Sequence, residues 1–166
     1  VRTDAPTATT LASHILFQHA ASWGSDLVQG DVTQGFMQGD LDPKAGVVYL
    51  SLPRGGLPGV EPGSLIRLKK SVYGLAEAPR AWWCKLRAAL QDAGLVEARL
   101  EKATFALRDR KGTLCGLCCT HVDDVIFTGF GDVYSRALEK MKRSFTWGSW
   151  LVNSFTHCGR EVTRDK

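Results

Sequence analysis

The chain has 166 residues, 44% of them hydrophobic, enough for one substantial core and cramped for two, so a single globular domain spanning 1–166 is expected. A balance of 21 Lys and Arg against 17 Asp and Glu leaves a formal charge of +4, compatible with a polyanionic partner but common among ordinary proteins. Five cysteines without the spacing of a disulfide scaffold, an N-terminus without a signal-peptide layout, and no apolar run near the roughly 20 residues of a bilayer span argue against a secreted or membrane protein and for a reducing compartment.

In chain order, Leu11, Ala12, Ile15, Leu16 and Trp23 fall near helical spacing behind Thr9 or Thr10, which predicts a capped helix ending near "WGS". A short strand follows in "DLVQGDV", with Asp31 near its end and a turn or helix start at "TQGFMQGD". Strands are expected over 47–53 and 64–72, separated by the Gly/Pro-rich loop "PRGGLPGVEPG". "APRAWWCKLRAALQDAG" is the clearest helix: Pro79 suits its first turn, Trp82, Leu86, Leu90 and Ala93 form one stripe, and Gly94 ends it. From 104 to 128 the pattern predicts strands joined by hairpin turns at "RDRKG" and "VDD". Asp132 then reads as the cap of a helix carrying Val133, Ala137, Leu138, Met141 and Phe145. The alternation is that of an α+β fold with an antiparallel core.

The stretch "CCTHVDDVIFTG" sets Asp123 and Asp124 side by side in an apolar, β-branched run. Aspartates are common in turns, and that alone explains many such pairs. Here the flanks mark a packed hairpin, and a third isolated aspartate, Asp31, ends another strand. Adjacent carboxylates cannot both stay ionised cheaply without a neutralising cation or a donor-rich turn. A strand-end aspartate facing a hairpin pair suits two divalent cations engaged in in-line phosphoryl transfer, and oxygen-only ligands favour Mg²⁺ or Mn²⁺.

Three segments resemble one family. "QGDVTQGFMQGDL" is similar to Q-x-D-V-K-T-A-F-L-N-G-x-L, "RLKKSVYGLAEAPRAWW" to K-L-x-K-S-L-Y-G-L-K-Q-A-P-R-x-W-Y, and "HVDDVIFTG" to Y-V-D-D-x-x-x-T-G. Together, and in this order, they resemble the reverse transcriptase of copia-type LTR retrotransposons. The likeness runs from "VRTDAPT" to "CGREVTRD", nearly the whole chain. It implies a right-hand polymerase-like fingers/palm fragment whose antiparallel palm sheet packs on helices. The upstream fingers, most of the thumb and RNase H would lie elsewhere in a longer polyprotein. The implied activity is RNA-directed DNA synthesis, extending a primer with dNTPs on an RNA or DNA template. The expected setting is cytoplasmic, inside virus-like particles, with dimeric or polyprotein partners.

By that resemblance Asp31, Asp123 and Asp124 are the catalytic, metal-binding triad, and Val32 offers a backbone carbonyl. Phe36 is the aromatic under the sugar of the incoming nucleotide, where its bulk would reject a 2′-hydroxyl; taken alone, a core aromatic is the commoner fate of such a residue. Tyr73, Gly74 and Arg80 would shape the nucleotide and template pocket, and Lys69 or Lys70 would reach phosphates. Three positions depart from the pattern: His121 replaces Tyr, Ala76-Glu77 replaces Lys-Gln, and Gln34-Gly35 replaces Thr-Ala. The Ala76-Glu77 change removes a cation and adds an anion where a triphosphate would bind. The rival reading is therefore a decayed or domesticated, catalytically silent domain that keeps the fold and nucleic-acid binding.

Other clusters read as structural. Cys115, Cys119 and His121 would face one side of a strand and Cys118 the other, which prevents four zinc ligands from converging and leaves the cysteines as small buried hydrophobes. His157-Cys158 invites a nucleophile reading, but the sequence identifies no carboxylate partner for it. His14 and His19 read as surface residues, and Trp82 and Trp83 as core or pocket-wall aromatics.

Overall fold

A computed structural model describes residues 3–41 and 46–165. Its elements run α1 (Thr10–Trp23), β1 (Leu27–Val32), α2 (Gly35–Gln38), β2 (Tyr49–Ser51), β3 (Leu65–Arg67), α3 (Ala78–Asp92), β4 (Val96–Glu97), β5 (Thr104–Arg108), β6 (Leu114–His121), β7 (Asp124–Gly129), α4 (Gly131–Ser144), β8 (Trp147–Val152), β9 (Ser154–His157) and β10 (Arg160–Thr163). Six strands form one antiparallel sheet in the order β4-β5-β6-β7-β1-β8, and β2-β3 and β9-β10 form separate two-stranded ribbons. The α+β expectation with an antiparallel core is met.

Both faces of the sheet are covered, which is why Val125, Ile126 and Phe127 of β7 run on as consecutive buried apolar residues with no polar alternation. On one face Val28, Val32, Val125, Phe127 and Phe105 pack against Trp82, Trp83, Leu86 and Leu90 of α3 and Ala137 and Met141 of α4. On the other, Leu27, Leu117, Cys119 and Ile126 meet Ala12, Leu16 and Ala20 of α1 and Phe155 of β9. Among the described residues no helix is long and apolar enough to cross a membrane.

The helix boundaries follow local chemistry. Thr9 accepts a hydrogen bond from the Ala12 N–H and caps α1. At the end of α3, Gly94 takes φ +94°, its N–H bonds the Gln91 carbonyl, and the Leu95 N–H reaches back to Leu90, the paired bonds of a Schellman stop. The "RDRKG" turn closes as expected, with Asp109 accepting from the N–H groups of Lys111 and Thr113.

Several expectations need correction. Asp132 does not cap α4: Phe130 occupies the cap position, Gly131 turns the chain at φ +79°, and Asp132 sits inside the first turn, where it still favours the helix dipole. The strand expected over 64–72 is only Leu65–Arg67, because its one partner among the described residues, β2, is three residues long. Cys115 and Cys118 enter the same core while Cys119 enters the other, because a register shift opposite Leu107 and Arg108 inserts a residue at Cys115 and resets the alternation. All three cysteines are buried and unbridged, as small hydrophobes. Strand β8 has no clear sequence signal, because a register shift opposite Asp31 and Val32 brings Trp147 and Trp150 to the same face despite their odd spacing, and both are only partly covered.

Candidate active site

Strands β1 and β7 end together, with Asp31 paired to Asp124 in register. Cross-strand partners project to the same face, so these two carboxylates share the head of the sheet. Asp123 lies in the two-residue turn joining β6 to β7, and its carbonyl accepts the Val32 N–H at 2.9 Å, clamping the turn onto the end of β1. The three aspartates picked out in the sequence are thus brought to one place.

Their electrostatics record that proximity. Burial first, and Asp124 second, raise the Asp31 carboxyl above the ordinary range. Burial, then the charges of Asp31 and Asp124, do the same to Asp123. One carboxylate oxygen of Asp123, Oδ1, is buried without a hydrogen-bond partner. An orphaned acceptor of this kind is costly unless something positive answers it. Among the described residues no three His, Cys, Asp or Glu side chains are drawn together tightly enough to hold an ion by themselves. The all-oxygen donor set and the unanswered Oδ1 nevertheless fit a hard divalent cation completed by substrate and water oxygens.

Two residues that sequence reasoning missed hold Asp124. Gln29 donates from Nε2 to Oδ1 at 2.7 Å, and His157 Nδ1 lies 2.6 Å from Oδ2. Both are buried. A carboxylate has about four lone-pair positions, so both oxygens retain acceptor capacity beyond these bonds. Gln29 had a signal: it stands two residues before Asp31, hence on the same strand face. His157 had none, since its carboxylate partner is 33 residues away and is reached only because the β9-β10 ribbon folds back over the sheet. Beside it, a cavity of about 180 Å³ opens between α1 and the ribbon, lined by His14, Phe17, His121, His157, Cys158 and Arg160.

The turn itself is strained. Val122 takes φ +58°, a region in which a β-branched residue is an outlier costing about 1–3 kcal/mol. Such strain persists only where neighbours overdetermine it.

The expected nucleotide-pocket residues are distributed as follows. Val32 is buried at the end of β1, directly after Asp31. Gln34 turns the chain at φ +50°, and the single helical turn of α2 carries Phe36, partly buried, with its ring 5.3 Å from that of exposed Tyr73. Gly74 follows at φ +93°, and Arg80 lies partly buried in the first turn of α3. Lys70 pairs at the surface with Asp40 at 2.5 Å, and the same carboxylate draws Lys85 to 3.5 Å.

The raised carboxyls set a pH dependence. In the metal-free chain the fold disfavours ionised Asp31 and Asp123, so their contribution is most favourable below the ordinary carboxylate value and is lost as pH rises through the raised values. The melting temperature of a D31N/D123N variant in chelator should therefore gain on the parent between pH 4 and pH 7. A constant difference across that window would show that neither burial nor mutual repulsion raises these carboxyls.

A family model described as "Reverse transcriptase (RNA-dependent DNA polymerase)" matches residues 2–155. Among curated proteins, the chain is 37% identical over 101 residues to a retrovirus-related Pol polyprotein from transposon RE2 of Arabidopsis thaliana, covering 61% of this chain and 7% of that protein. The corresponding polyprotein from transposon RE1 of the same plant is also 37% identical over 101 residues, 61% of this chain and 6% of the relative. One from transposon TNT 1-94 of Nicotiana tabacum is 26% identical over 110 residues, 66% of this chain and 8% of the relative. The chain thus spans only a small part of the relatives it matches. No solved structure matches significantly.

Proposed function

Since this chain belongs to the reverse transcriptase (RNA-dependent DNA polymerase) family, in its copia-type form, we propose that it forms the palm and part of the fingers of an RNA-directed DNA polymerase that extends a primer with dNTPs. The observation that carries this reading is the register pairing of Asp31 with Asp124 beside Asp123 and its unpartnered Oδ1. The six-stranded sheet would be the palm, and β2-β3 with its Gly/Pro-rich loop would belong to the fingers.

Asp31, Asp123 and Asp124, with the Val32 carbonyl, would hold Mg²⁺ or Mn²⁺, which would activate the primer 3′-hydroxyl and neutralise the triphosphate. Gln29 and His157 fix the orientation of Asp124, so little rearrangement is needed when charge develops. Phe36 and Tyr73 would wall the sugar pocket, and Arg80 would meet phosphate. Template, primer and dNTPs are the implied partners.

Template-directed addition of dNTPs to a primer annealed on RNA, abolished by chelation and restored by Mg²⁺, is the expected result. Binding of template-primer without any extension at saturating Mg²⁺ would support the silent-domain reading instead. That rival draws on Ala76, which is exposed, and on Glu77, which stands at the cap position of α3 without a side-chain cap bond. The double change Ala76→Lys and Glu77→Gln moves local charge by two units and should tighten dNTP binding about thirtyfold at low salt, at roughly 1 kcal/mol per unit of charge. An unchanged nucleotide Kd would show that this turn does not face the triphosphate.

A further inference from the structure

Trp82 is almost wholly buried in α3, yet its indole Nε1–H is spent outside the helix, donating at 2.8 Å to the carbonyl of Val122. Val122 is the strained residue of the turn that carries Asp123. The same indole leaves no room beside α2, where a Cβ on Gly35 would lie 2.9 Å from Trp82 Cε2, and the α3 backbone is as close to Gly39, whose Cβ would lie 2.9 Å from the Trp82 nitrogen. Phe145 closes the far side, its ring 5.2 Å away. One side chain thus joins the aspartate turn, the turn of helix that bears Phe36, and the helix that follows Tyr73 and Gly74.

We propose that Trp82 is a positioning residue, whose indole N–H holds the Val122 carbonyl and thereby sets where Asp123 presents its carboxylate. The proposal rests on the polymerase reading above and names the device that keeps its turn in place. A backbone held in a disfavoured φ region relaxes when a neighbour lets go, and the bond from Trp82 is the side-chain contact that grips this carbonyl.

The test separates the hydrogen bond from the ring. In the full chain, Trp82→Phe removes the N–H and part of the ring, while Trp82→β-(3-benzothienyl)alanine keeps size and shape and replaces N–H by sulfur. Mn²⁺ affinity is measured by calorimetry, metal-free melting by circular dichroism, and primer extension by steady-state kinetics. The benzothienyl variant should melt near the parent, bind Mn²⁺ about tenfold more weakly and lose about tenfold in kcat, with the KM for dNTP unchanged. If Asp123→Asn loses Mn²⁺ affinity while the benzothienyl variant keeps it, the positioning role is overturned and the polymerase reading stands. If Asp123→Asn binds Mn²⁺ as the parent does, the polymerase reading itself falls. Should the variants not fold, the parent's Trp82 indole N–H resonance gives an independent answer: it should shift on adding Mg²⁺ in the parent and not in Asp123→Asn, and an unmoved resonance overturns the proposal.

Discussion

Asp123→Asn should abolish primer extension while leaving the fold intact. Asp123 contributes its carbonyl to the clamp with Val32, which the substitution retains, and its carboxylate to the head of the sheet, which the substitution neutralises. The loss in kcat should reach about a thousandfold, ~4 kcal/mol of transition-state stabilisation, because the charge removed is one that would hold the cations of the reaction. In the metal-free state the effect reverses. Removing one of three mutually repelling carboxylates should stabilise the domain by about 1 kcal/mol, a rise of roughly 2–4 °C in Tm. A variant that is both more stable and inactive separates a functional carboxylate from a structural one. Near-full extension at saturating Mg²⁺ would remove Asp123 from the catalytic machinery.

Phe36 should govern the choice between deoxyribonucleotides and ribonucleotides. For its ring to stand near the aspartates the chain must turn back at once after β1, and it does: Gln34 adopts a left-handed conformation and α2 follows as one helical turn. The adjacent Gly35 packs on the Trp82 indole, which in turn bonds the Val122 carbonyl, so Phe36 belongs to the same end of the molecule as the carboxylate turn. Its ring is half-buried and leans on exposed Tyr73, a placement unlike that of the fully buried Phe105 and Phe127. Truncation to Ala or Val should open the space of a 2′-hydroxyl and lower the ratio of dNTP to rNTP incorporation efficiency by about tenfold to a hundredfold, with some loss in dNTP positioning. A ratio that survives truncation would return Phe36 to a packing role.

The parts of this site legible in the sequence are those governed by local rules. Asp31 at the end of a strand and Asp123-Asp124 at a hairpin tip followed from period-two patterning and turn chemistry, and the register pairing of Asp31 with Asp124 is what those rules imply once the strands are neighbours. The helix over 78–92 was legible because its apolar stripe, Pro79 and Gly94 all agreed. What escaped depends on long-range topology. His157 finds Asp124 only through the fold of β9-β10, and β8 joins β1 at the sheet edge although its own pattern of tryptophans gives no strand alternation. The cysteine faces were misjudged because a bulge at Cys115 shifts parity by one residue, and its one local hint is the isolated Gly116 inside the strand pattern.

Asp31, Asp123 and Asp124 should together form one cation site. A crystal grown with millimolar Mn²⁺ and measured at the manganese absorption edge tests it without relying on activity. The expected result is an anomalous peak within coordination distance of carboxylate oxygens from all three aspartates, lost in the Asp123→Asn variant. Well-ordered carboxylates with no anomalous density between them, or a peak that persists in Asp123→Asn, would contradict it.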